Sequence, residues 1–115
     1  DQELKEYMEI CDRLGLSALT EAHDEEEIHR ALRAGARVIG VNNRNLKDFS
    51  VDTENSRRLR ELVPSEVVFV SESGVQSAEV VGKLHEIGAD AVLIGETLMR
   101  AADKKAKLAE LKSPL

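Results

Sequence analysis

The chain has 115 residues, of which 42% are hydrophobic and 33% charged, the composition of a single soluble globular domain and not of a disordered segment. Its 16 Lys+Arg against 22 Asp+Glu leave a net charge of −6 and a pI near 5.1, which excludes the basic footprint of a nucleic-acid or anionic-membrane binder. No apolar run approaches the ~18 residues of a membrane span. The opening Asp1-Gln2-Glu3-Leu4-Lys5 has neither the basic nor the apolar region of a signal peptide. A lone cysteine, Cys11, forms no internal disulfide and no multi-cysteine metal site, which points to a reducing, cytoplasmic compartment. Aromatics are 3% (Tyr7, Phe49, Phe69), so the core must be built from Val, Ile, Leu and Ala.

The first residues already read as helix. Leu4, Tyr7, Met8, Cys11 and Leu14 form one apolar stripe, and Gly15 stops it. A chain that opens in mid-architecture is expected to be a piece of something longer. Ser17 to Ala22 is compatible with a buried strand. Asp24 and Glu27 have capping-box spacing, opening a helix whose inner face is Ile28, Ala31 and Leu32 and which ends at Gly35. Arg37 to Val41 is a β-branched run leading into the polar Asn42-Asn43-Arg44-Asn45. A loop through Asp48, Phe49 and Ser50 precedes a helix with Leu59, Leu62 and Val63 inward, stopped by Pro64. Val67 to Val70 is the clearest strand and ends at Ser71-Glu72-Ser73-Gly74. Ser77 caps a helix with Val80, Val81, Leu84 and Ile87 inward, ended by Gly88. Ala91 to Ile94 is the fourth strand, ending at Gly95. Thr97 to Met99 reads as a helical turn, and Lys104 to Leu111 as a final helix with Leu108 and Leu111 inward.

Helices and strands alternate along the whole chain, with no linker and no low-complexity segment. That pattern predicts an α/β fold with a parallel sheet covered by helices. The strands are continuous apolar runs, as when both faces are covered. Two architectures fit. One is half of a (β/α)₈ barrel, whose full form takes about 250 residues and eight strands. The other is a small open α/β sheet. In either, residues 1–115 form a single domain.

Each strand ends in polar residues, at the edge where parallel α/β folds bind ligands. Glu21 and His23 follow the first strand, Asn42 and Arg44 the second, Glu72 and Ser73 the third, Gly95 and Glu96 the fourth. By parity Leu19, Glu21 and His23 share a face, as do Gly40, Asn42 and Arg44, so a carboxylate, an amide and a guanidinium converge on one mouth. Burial of Glu21 beside apolar strand residues would raise its pKa and suit it to acid–base work. A carboxylate neutralised by Arg44 is the competing reading. Ser73-Gly74 and Gly95-Glu96 each precede a helical start, where backbone amides favour a phosphate. Either glycine alone reads as a turn glycine. The pair at one edge points to phosphate, bound through amides because the Glu96 side chain repels an anion.

Other residues carry less. Cys11 reads as a core thiol, His29 and His85 as surface or boundary residues, and His23 as a cap or hydrogen-bond partner. The run Asp24 to Glu27 is a solvated first turn complementing the helix dipole. There is no P-loop, no GxGxxG, no Ser-His-Asp order and no metal constellation.

These segments resemble a known family. Leu19-Thr20-Glu21-Ala22-His23, Ile39-Gly40-Val41-Asn42-Asn43-Arg44-Asn45-Leu46, Val70-Ser71-Glu72-Ser73-Gly74-Val75 and Leu93-Ile94-Gly95-Glu96-Thr97-Leu98-Met99 are similar to the last four strands of indole-3-glycerol-phosphate synthase. The resemblance runs nearly the whole chain. Its most specific element is the Asn-Asn-Arg segment together with Ser-Glu-Ser-Gly. It implies a (β/α)₈ barrel of tryptophan biosynthesis, a cofactor-free carbon–carbon lyase. That lyase closes the indole ring of 1-(2-carboxyphenylamino)-1-deoxyribulose 5-phosphate with loss of CO₂ and water.

The resemblance implies roles by position. Glu21 matches a general base, and Asn42 the asparagine that holds the reacting centre. Arg44, Glu72 and Ser73 match substrate contacts. Ser73, Gly74, Gly95 and Glu96 match the phosphate turns, with Glu96 standing where many members carry Ser. The family's general-acid lysine, and a further glutamate and lysine, belong to an N-terminal half with no matching segment here. The expectation is a C-terminal half-barrel, strands five to eight, inactive alone. Its expected partners are a phosphorylated substrate and either an N-terminal half or a second copy. Another phosphate-sugar barrel enzyme such as an isomerase, and a non-catalytic self-associating half-barrel, are the alternatives.

Overall fold

The computed structural model describes residues 1–115. Its strands are β1 (Thr20–Ala22), β2 (Val38–Asn42), β3 (Val68–Glu72) and β4 (Ala91–Leu93), in one parallel sheet of order β1-β2-β3-β4. The helices are α1 (Gln2–Leu14), α2 (Glu25–Arg33), α3 (Glu54–Arg60), α4 (Ala78–Glu86), α5 (Glu96–Arg100) and α6 (Lys104–Lys112). Spatial order follows chain order throughout, so there is no reversal of the kind that defines a doubly wound sheet.

Local chemistry sets most boundaries. Gly15 takes the left-handed conformation, φ 71°, and closes α1. The expected capping box opens α2: Glu27 N donates to Asp24 Oδ1 at 2.8 Å, and His23 N donates back to Glu27 Oε2 at 2.6 Å. The Ser77 side chain accepts from Val80 N and opens α4. The third helix is shorter than its apolar spacing suggests. It ends at Arg60, and the chain reaches Pro64 through a turn that still buries Val63. β1 is also shorter than Ser17–Ala22, because it lies at the sheet edge with β2 as its one paired neighbour.

The register fixes which residues share a face, because paired residues of parallel strands project to the same side. One side carries Thr20, Ile39 and Phe69 in one row and Ala22, Val41, Ser71 and Val92 in the next. The helices cover this side. Ala22, Ile39, Val41 and Phe69 are fully buried against Ile28 and Ala31 of α2 and Leu59 of α3. A second cluster of Val75, Val81, Leu84 and Leu111 joins α4 and α6, with Val92 and Ile94 packed on it. Val92 and Ile94 thus lie on the helix side. β4 instead turns Ala91 and Leu93 to the side that carries Val68 and Val70. Leu108, expected inward on α6, is also exposed, since α6 docks through Leu111.

The opposite side carries the row Glu21, Gly40, Val70, Ala91 and then Asn42, Glu72, Leu93. No helix covers it. Leu19, Val68 and Leu93 stay 45%, 42% and 52% exposed there. No helix is long and apolar enough to cross a membrane.

Candidate functional site

The C-terminal ends of the strands bring the predicted polar residues into one chain of contacts. Asn42, at the end of β2, donates from Nδ2 to Glu21 Oε1 on β1 at 3.1 Å. Its Oδ1 accepts from Arg44 N at 2.9 Å. The Arg44 guanidinium reaches across to Glu96 Oε2 at 2.9 Å, and Arg100 holds the other Glu96 oxygen at 3.1 Å. Arg44 therefore neutralises Glu96 and not Glu21, which closes one of the two sequence readings of Glu21.

The buried acid of the site is Glu72, not Glu21. Glu21 is exposed, so the burial on which its expected activation rested is absent. Glu72 is 4% exposed. Burial raises its pKa from 4.5 to about 7, reinforced by the hydrogen bond and the negative charge of Glu21. The Glu72 carboxyl so held keeps its proton to near neutrality and can take or deliver one at this edge.

Beside this pair lies a cavity of about 490 Å³, lined by Arg44, Ser73, Gly74, Gly95, Glu96 and Thr97 among others. All of the residues predicted for phosphate are in its wall. Ser73 and Gly74 are both in the left-handed region, φ 70° and 76°. Thr97 Oγ1 donates to Val75 O at 2.7 Å, tying the first turn of α5 to the β3–α4 turn. Glu21, Asn42 and Glu72 do not line this cavity; Glu72 directly precedes its wall residue Ser73, while Asn42 and Glu21 line neighbouring clefts. The structure has no cluster of three or more His, Cys, Asp or Glu able to hold a metal.

A profile of the indole-3-glycerol phosphate synthase family matches residues 1–111. The chain belongs to that family. It is 62% identical over 109 residues to the indole-3-glycerol phosphate synthase of Ruminiclostridium cellulolyticum, covering 95% of this chain and 42% of that protein. It is 56% identical over 112 residues to that of Leuconostoc mesenteroides, covering 97% of this chain and 43% of that protein. The chain thus spans well under half the length of the curated indole-3-glycerol phosphate synthases it matches. The fold also matches the crystal structure of 3-hexulose-6-phosphate synthase from Salmonella typhimurium, with a TM-score of 0.67 at 16% identity, over 94% of this chain and 53% of that one. It matches the Amycolatopsis orientalis BexX/CysO complex with a TM-score of 0.66 at 23% identity, over 98% of this chain and 48% of that one.

Within this indole-3-glycerol phosphate synthase segment, sequence reasoning missed Asn43. The residue is buried and tied to Ser56 and Ser71. The available signal was an Asn-Asn doublet directly after an apolar strand, where only one amide can face the mouth. Asn55 was missed too; its Nδ2 donates to the carbonyls of His23 at 3.1 Å and Asn42 at 3.2 Å, joining the first two strand ends. His23 acts as the capping partner expected of it, with Nδ1 3.2 Å from Glu27 Oε2.

Proposed function

We propose that this chain is the C-terminal half, strands five to eight, of an indole-3-glycerol-phosphate synthase barrel. In this reading it acts on 1-(2-carboxyphenylamino)-1-deoxyribulose 5-phosphate in tryptophan biosynthesis, in the cytoplasm. The observation that carries the reading is the convergence of Glu21, Asn42 and Glu72 beside a cavity walled by Arg44, Ser73, Gly74 and Gly95, in a chain of this family. The cavity takes the phosphate on backbone amides, with Arg44 offsetting the negative charge of Glu96 in its wall. The Asn42 amide orients Glu21 as general base for loss of water. Glu72, protonated over part of the neutral range, contacts the substrate and keeps a second like charge off Glu21. The competing reading as another phosphate-sugar barrel enzyme gives way to the family match.

The general-acid lysine has no counterpart in this half, and general acid catalysis is worth roughly 10²–10⁴-fold. The chain alone is therefore expected to be inactive. An assay of indole-glycerol-phosphate formation tests this: no turnover from the 115-residue chain, turnover on adding the N-terminal half, and loss of that turnover with Glu21→Gln. Near-parental rates from the chain alone would overturn it.

Association is the second part of the proposal. The edge strands β1 and β4 each pair on one side, and Leu19, Val68 and Leu93 are exposed on the uncovered face. Unpaired edges and an apolar face invite another chain. An N-terminal half or a second copy related by a two-fold axis would close them.

A further inference from the structure

Asn43 is 4% exposed and saturates its side chain. Its Nδ2 donates to Ser71 Oγ at 3.0 Å and to Ser73 O at 3.1 Å. Its Oδ1 accepts from Ser56 N at 3.1 Å and Ser56 Oγ at 2.8 Å, and the hydroxyls of Ser56 and Ser71 lie 2.7 Å apart. The backbone is tied on both sides as well: Asn43 N donates to Glu72 O, and Asn43 O accepts from Asp52 N, each at 2.9 Å. One amide thus bolts together the ends of β2 and β3 and the start of α3.

The bond to Ser73 O reaches the cavity wall. Ser73 has φ 70°, in the left-handed region that a residue with a Cβ adopts only when its surroundings impose it. Gly74 follows at φ 76°. A Cβ on Gly74 would stand 3.1 Å from Thr53 Cγ2 and closer still to Val51 Cγ1, so this turn has no slack on that side either.

We propose that Asn43 is a positioning residue for the phosphate turn. Its Nδ2 holds the Ser73 carbonyl, which fixes the left-handed Ser73-Gly74 backbone and aims its amides into the cavity. Only a primary amide of this length donates to Ser71 and Ser73 while accepting twice from Ser56. The inference rests on the phosphate reading above for its ligand, but its claim about the Ser73 backbone stands or falls separately.

The test uses the 115-residue chain, NMR and inorganic phosphate as the probe. In the wild type, phosphate should shift the amides of Ser73, Gly74 and Gly95. Backbone couplings should report positive φ at Ser73. Asn43→Asp keeps the acceptor and removes the donor. It should shift Ser73 out of the left-handed region and weaken phosphate binding about tenfold or more. Ser56→Ala should lower stability without moving Ser73, which separates positioning from support. Retention of positive φ and of phosphate affinity in Asn43→Asp would overturn the proposal. Should Asn43→Asp fail to fold, the wild type decides. Its Asn43 Nδ2 protons should exchange slowly and respond to phosphate; fast exchange or no response refutes the assignment. A wild type that shows positive φ at Ser73 but no phosphate shifts refutes the phosphate reading, and the role assigned here with it. The Asn43→Asp couplings then still decide whether Asn43 holds the Ser73 backbone.

Discussion

The Glu72 carboxyl occupies the space that a side chain at Gly40 would fill. A Cβ built on Gly40 would lie 2.7 Å from Glu72 Cδ and 3.2 Å from Leu19 Cδ1. Gly40 has an ordinary strand conformation, so its value lies in absent volume and not in backbone freedom. Gly40→Ala should push the Glu72 carboxyl toward solvent. The expected result is a loss of about 1–3 kcal/mol in urea unfolding, with the Glu72 titration moving down from about 7 toward the ordinary carboxylate range. Carboxyl ¹³C NMR reads the second effect directly. An unchanged Glu72 titration in Gly40→Ala would refute the steric assignment.

Glu72 also gives stability a pH dependence of unusual sign. Its folded pKa, about 7, lies above its ordinary value of 4.5, so the folded chain holds the proton more tightly than the unfolded chain. Its contribution is fully present below pH 4.5 and is lost as pH rises through about 7. Most native carboxylates act in the opposite direction. Denaturant midpoints should fall between about pH 5 and pH 8, and Glu72→Gln should flatten that fall. Glu21→Gln, which removes the neighbouring charge, should lower the Glu72 titration. A midpoint that rises over this interval would count against the raised value.

The α2 capping box offers a purely local test. Asp24→Ala removes the acceptor for Glu27 N and should cost about 1 kcal/mol, measured by chemical denaturation. Glu27→Ala removes the reciprocal bond to His23 N and the contact to the His23 ring together, and should cost at least as much.

Sedimentation equilibrium addresses association. The exposed edges of β1 and β4 and the exposed Leu19, Val68 and Leu93 predict a mass above 12.7 kDa at micromolar concentration. Leu93→Lys places a charge on that uncovered face and should shift the equilibrium toward monomer. A clean monomer for the wild type would rule out obligatory pairing.

What was legible in the sequence was local. Gly15, the Asp24/Glu27 box and Ser77 announce their own conformations through neighbours within a turn, and each stands where its spacing put it. The alternation of elements gave the parallel sheet for the same reason. Side-chain direction was less legible. In Ala91-Val92-Leu93-Ile94 every position is apolar, so period two has nothing to phase against, and only pairing with Ser71 shows Val92 facing the helices. At the site, parity correctly put Glu21 and Asn42 together. It could not say which carboxyl is buried, because Glu72 lies in the space left over Gly40 beside Leu19, which β2 and the approach to β1 supply. Asn43 escaped notice because its partners, Ser56, Ser71 and Ser73, are brought to it by chain crossovers.

The strand order β1-β2-β3-β4 has a consequence for how the chain is made. Each strand after β1 hydrogen-bonds to the strand that precedes it in the chain. Each pairing closes one crossover, from Thr20 to Ile39, Val38 to Val68 and Val70 to Ala91, so loop-closure entropy is met one β/α unit at a time. Growth is vectorial: a nascent chain can add one β/α unit at a time as it leaves the ribosome, and its most recently docked strand serves as the template for the next.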